Sequence, residues 1–118
     1  MKKLIAAMFL AFAAVGCTND STSDLIDDPN DIVITYNENV KTIIDNNCIV
    51  CHAATPVNGA PMSLTTYQNV KDAVQTRGLL DRISRAQGES GMMPNGGTRL
   101  PQHQIDIIAQ WSAQGLLE

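Results

Sequence analysis

The chain predicts an all-α fold, a small domain of three to four helices. Three observations carry that prediction. Apolar residues recur at helical spacing in three windows, around Val40, Val70 and Ile108. No window alternates apolar and polar residues over the length of a strand. The segments between the windows are dense in glycine and proline, as connecting loops are.

The first element is expected to be removed. Lys2 and Lys3 precede an apolar run from Leu4 to Val15, followed by Gly16 and Cys17. A basic start, a short apolar stretch and a small residue at the cut read as a secretory signal over residues 1–16. The run is shorter than the roughly 20 residues a membrane-crossing helix needs. Ala14-Val15-Gly16-Cys17 resembles the lipobox of bacterial lipoproteins, which implies a lipid on Cys17, a membrane anchor and a place in the cell envelope facing the periplasm. Thr18 is not the aspartate associated with inner-membrane retention, which inclines the expectation towards the outer membrane. The competing reading is an ordinary cleaved signal with an incidental cysteine. Loss of Lys2 and Lys3 would take the formal net charge from −4 to −6. Such an acidic chain is expected to favour redox partner proteins with basic docking surfaces, and no basic face points to nucleic acid.

Residues 17–31, polar and acidic with few core formers, are expected to be a flexible tether, and the folded domain to occupy 32–118. Thr35-Tyr36-Asn37-Glu38 has the form of a capping box that opens a helix over 36–47, with Tyr36, Val40, Ile43 and Ile44 on one face. Pro56, Gly59 and Pro61 make 53–63 a loop. A second box, Thr65-Thr66-Tyr67-Gln68, opens a helix carrying Tyr67, Val70 and Val74 that stops at Gly78. Leu79, Leu80 and Ile83 predict a short helix to about Ala86, followed by a long glycine-rich loop over 87–100. Pro101 suits the first turn of a last helix with Ile105, Ile108 and Trp111 inward and Gly115 as its cap.

Chemistry concentrates in Cys48-Ile49-Val50-Cys51-His52. Cys-x-x-Cys-His is the attachment site of a c-type haem. Two thiols bond to two vinyl groups of one porphyrin edge, and the next residue offers its imidazole to the iron. The motifs use all three cysteines, Cys17 for lipid and Cys48 and Cys51 for haem c, so no disulfide framework is left. A thioredoxin-like pair would want a βαβ setting, and zinc would have only Cys48, Cys51, His52 and His103 to draw on. For the sixth position, Gly91-Met92-Met93-Pro94 offers a thioether in the glycine-rich loop. Met93 beside the proline is the expected ligand, with Met92 as the alternative and core packing as the competing role for either. Met62 is expected to pack on the porphyrin. His103, off the apolar stripe of the last helix, is expected to be solvated. Trp111 is expected to meet Tyr36, Val40 or Ile44. Arg77, Arg82, Arg85 and Arg99 are candidates to pair with haem propionates, Arg99 foremost because it adjoins the methionine loop. A domain this small buries little surface, so the apoprotein is expected to fold poorly.

Residues 36–117 resemble the monohaem class I-type cytochromes c in their small bacterial lipoprotein form. The resemblance rests on the run into Cys48–His52, on Met93-Pro94 followed by Gly96-Gly97 and Leu100, and on Ile108 to Gly115 around Trp111. It implies first and last helices crossed with haem between them, and histidine and methionine as axial ligands. It further implies a proline carbonyl accepting a hydrogen bond from the proximal imidazole, for which Pro61 is the nearest match. The function expected is membrane-anchored electron transfer without catalysis. The alternatives are haem-based ligand binding or gas sensing, a thiol–disulfide oxidoreductase with no haem, and an electron-entry subunit of a larger oxidoreductase.

Overall fold

Thr35 begins the first helix by lending its side chain as a cap. In the computed structural model, which describes residues 32–118, its Oγ1 accepts the Glu38 N–H at 3.3 Å. The first turn, Tyr36–Val40, is π-wound, and an α-helix, α1 (Lys41–Asn47), continues it to the cysteine motif. That wide turn changes the return bond of the cap. Asn39 Oδ1, not Glu38, accepts the Thr35 N–H at 2.9 Å, because widening the turn carries the next residue round to face the cap.

The second helix, α2 (Tyr67–Thr76), is capped by Thr66, whose hydroxyl accepts the Asn69 N–H at 3.2 Å. The cap therefore lies one residue later than the Thr65 box implies, and Gln68 is free to bond Asp72 at 2.8 Å. Val70 and Ala73 are buried, with Tyr67 and Val74 half-buried beside them. Gly78, with φ 66°, both ends α2 and starts α3 (Leu79–Ser84), which stops two residues short of the expected Ala86. The last helix, α4 (Gln102–Ala113), follows Pro101 and buries Ile105, Ile108 and Trp111.

The end of α4 is a Schellman motif. The Leu116 N–H bonds the Trp111 carbonyl at 2.9 Å and the Gly115 N–H bonds Ser112 at 3.3 Å, with Gly115 at φ +99°. The aromatic residues then fasten the tail that emerges. Trp111 Nε1 and the Tyr36 N–H both donate to the Leu117 carbonyl, at 2.6 and 2.8 Å, and the Tyr67 hydroxyl donates to Leu116 at 2.7 Å. The three rings form one cluster with centroids 5.5 to 6.3 Å apart. Trp111 thus meets Tyr36, joining the start of the first helix to the end of the last.

Every regular element among the described residues is helical, and none is a strand. Residues Ile32–Glu118 form one compact unit, and no described helix is long and apolar enough to cross a membrane. The expected signal segment 1–16, the tether 17–31 and the lipid-bearing Cys17 lie outside the described residues.

Candidate functional site

The cysteine motif is the direct continuation of α1. The Cys48 N–H bonds Ile44, and the Cys48 carbonyl then accepts both the Cys51 and His52 N–H groups, at 3.2 and 2.9 Å. This tight turn brings two half-buried cysteines and one buried histidine to a common wall. That wall belongs to a cavity of about 730 Å³, which Cys48, Cys51, His52 and Met93 all line. Leu64, Leu79, Ile83 and Leu100 complete its apolar side. The volume falls within the roughly 300 to 1,000 Å³ of sites that enclose small molecules and cofactors.

His52 is held at two points by the loop that follows it. Its carbonyl accepts the Leu64 N–H at 2.9 Å, and its Nδ1 lies 2.7 Å from the Met62 carbonyl. A carbonyl can only accept, so Nδ1 carries the hydrogen and Nε2 is the nitrogen available to a metal. The acceptor is Met62 and not Pro61, a correction by one residue. The reason is local: Met62 sits one step nearer the Leu64–His52 bond that closes the loop. Met62 itself is half-buried in the cavity wall.

Within the 53–63 loop, a tight turn shapes the other rim. Val57-Asn58-Gly59-Ala60 closes with an Ala60 N–H to Val57 bond at 3.0 Å, and Asn58 and Gly59 both have positive φ, at 54° and 78°. This is the signature of a type I′ turn, and the Asn-Gly pair was the signal that could have found it. The turn is tied back by the Val57 N–H to the Cys51 carbonyl, and Asn58 Nδ2 lies 3.5 Å from Cys51 Sγ.

The methionine loop is anchored to α3. The Met93 N–H donates to the Arg82 carbonyl at 3.1 Å, and Arg82 Nη1 donates to Gly91 at 3.3 Å. Gln87 bridges the loop, donating to Gly97 and accepting the Arg99 N–H. Met93 lines the cavity, half-buried, whereas Met92 is buried outside the lining.

The arginines divide differently from expectation. Arg99 is not free for a ligand at the cavity. It donates to the Arg85, Ser84 and Leu100 carbonyls and to Gln102, so it caps the end of α3. Arg85 pairs with Asp81 at 2.6 Å and donates to Ser90. Arg77 and Arg82 alone of the four line the cavity. Carbonyls left without partners at a helix end attract a guanidinium, and Arg99 reaches the Ser84 and Arg85 carbonyls at the end of α3.

His103 is exposed on α4 and does not line the cavity. Among the described residues no group of three His, Cys, Asp or Glu side chains is placed to hold a metal ion. Cys48 and Cys51 are free of any disulfide. Burial pushes the Cys48 thiol up to about 11, the reverse of what a reactive redox cysteine needs. The chain matches no family model, no curated protein and no solved structure.

Proposed function

We propose that the protein is a one-electron carrier built on a single haem c that Cys48 and Cys51 would bind covalently and whose iron His52 and Met93 would hold. One observation carries the reading: a single cavity is lined by both thiols, by the Met93 thioether and by an imidazole whose Nδ1 is engaged at 2.7 Å. The donor set fits an iron porphyrin. Two thiols flank a histidine with Nε2 free, a soft thioether comes from a different loop, the walls are apolar, and two guanidiniums are at hand for carboxylates.

When bound, the group supplies an Fe(III)/Fe(II) couple. The chain's own residues set the conditions for it. The Met62 carbonyl fixes the imidazole tautomer and makes it a stronger donor. The Met93 thioether, soft and uncharged, favours the reduced state and raises the potential relative to histidine. Leu64, Leu79, Ile83 and Leu100 exclude water, which disfavours the extra charge of the oxidised state. Arg77 and Arg82 would balance the carboxylates. His52 and Met93 would both hold the iron, which is why the reading is a carrier and not a catalyst. The signal and lipobox pattern supports a carrier tethered through Cys17 at the cell envelope, facing the periplasm.

The test is voltammetry and absorption spectroscopy of the exported protein beside Met93→Ala. The wild type should give one reversible one-electron wave and a weak far-red sulfur-to-iron band. Met93→Ala should lose the band and shift to lower potential. An unchanged spectrum in the variant would remove Met93 from the ligand set, and no reversible wave in the wild type would remove the function.

A further inference from the structure

We propose that electrons leave and enter across the side of the cavity mouth built by residues 46–70 and 90–98, which carries no Asp, Glu, Lys or Arg, and that the partner is a protein presenting a neutral, apolar patch. This inference rests on the proposed carrier function and names the partner for that same site.

Net charge alone points elsewhere, because it averages over the whole chain. Five of the 12 acidic residues, Asp20, Asp24, Asp27, Asp28 and Asp31, precede the folded part. Residues 32–118 hold the other seven, against six lysines and arginines, for a net charge of −1. Within that near-neutral domain the distribution is uneven. No Asp, Glu, Lys or Arg occurs from Asn46 to Val70, nor from Ser90 to Thr98. These two segments supply most of the cavity rim, including Val50, Asn58 and Pro61 from the first and Asn95 and Gly96 from the second.

The acids of the folded part lie off the rim. Asp45 pairs with Lys41 and Asp81 with Arg85, while Asp72 and Asp106 accept from glutamines on their own helices. None of them lines the cavity. The ionised side chains that do, Arg77 and Arg82, are matched by carboxylates in the proposed holoprotein.

What the rim offers in place of charge is exposed apolar surface. Val50, in the lining, is 81% exposed, and Val57, next to the lining residue Asn58, is 45% exposed; both are among the few large hydrophobic side chains left outside the core. Neither position is loose. Val50 lies inside the tight cysteine turn, and Val57 starts the type I′ turn tied to Cys51. Rigid, exposed valines in an uncharged surround suit brief contact with a matching apolar patch. A basic surface would meet no countercharge here and would lose hydration without recompense.

The experiment uses the full exported protein, with a second copy as the probe because its own mouth is such a patch. One electron passes from the reduced molecule to the oxidised one, with no bond made or broken and no proton moved. Self-exchange is measured by NMR line broadening in mixed reduced and oxidised samples. Between 50 and 500 mM salt the rate should change by less than about threefold, since screening acts only on charges near the contact. Val57→Asp and Val57→Lys should both slow it by about tenfold or more, since either buries an unpaired charge in the contact. Val33→Asp, an exposed apolar position outside the rim, should leave it within about twofold. A wild-type rate that moves more than tenfold with salt, or Val57 variants that exchange like wild type, would overturn the docking face alone, provided covalent haem and a reversible potential are intact. Absence of haem from the wild type would overturn this inference together with the proposed function.

Discussion

Tyr36 places a phenol in the core with no hydrogen-bond partner for its hydroxyl among the described residues. A buried unpaired hydroxyl costs free energy, and removing it leaves the ring contacts with Tyr67 and Trp111 in place. Tyr36→Phe is therefore expected to be about 1 kcal/mol more stable in urea unfolding at pH 7; a loss of similar size would contradict this. The same residue titrates. Burial raises its pKa above the ordinary 10.0, with the Asp45 carboxylate adding and Lys41 opposing. Lys41 is raised as well, chiefly by its hydrogen bond to Asp45. A group with a raised folded pKa lends stability that is complete below its unfolded value and is lost as pH rises through the folded one. Stability should thus fall above pH 10, less steeply in Tyr36→Phe, as a pH series of unfolding midpoints would measure. At this scale the sequence was informative about side chains and silent about backbone. The meeting of Trp111 with Tyr36 was readable from residue type, as was the grouping of Cys48, Cys51 and His52 in one short turn. The Met62 carbonyl was not, because every residue has one and only the folded loop decides which carbonyl meets the imidazole.

Among the elements, two glycines separate stability from site geometry. Gly115 ends α4 at φ +99° with open space where a Cβ would sit. Gly91 opens the methionine loop at φ +78°, and a Cβ there would lie 2.5 Å from Arg85 Nη1. Both alanine variants should lose about 1–2 kcal/mol from left-handed backbone strain. Only Gly91→Ala should also disturb the far-red band, since Arg85 must give way and the loop carrying Met93 moves with it. Equal spectra for the two variants would contradict the view that this loop positions the ligand. The helices and their apolar stripes were legible from periodicity, as Ile105, Ile108 and Trp111 illustrate. Cap positions slipped by a residue, at Thr66 and Asn39, because neighbouring polar residues compete for the same orphan N–H groups. Arg99 was misjudged for a related reason: proximity to Met93 in sequence gave no sign that the carbonyls at the end of α3 would take its guanidinium.

For the whole molecule, a short chain arranges its helices around a cavity as well as a core. Small domains bury little surface for their length, so a group seated in the cavity of about 730 Å³ would add substantially to the buried surface. Two covalent attachments would both fill the space and cross-link the chain. The all-α class was legible from three windows of pattern and the loops between them. The uncharged side of the mouth was not, because it depends on residues 46–70 and 90–98 folding to one rim. The central claim is the bond between haem and the two cysteines, and intact mass spectrometry of protein exported from a bacterial host with haem-attachment machinery tests it most directly. The prediction is a single species carrying the added mass of one haem, which survives denaturation and is lost when Cys48 and Cys51 are both changed to serine. Wild-type protein with two free thiols and no added haem mass would contradict it.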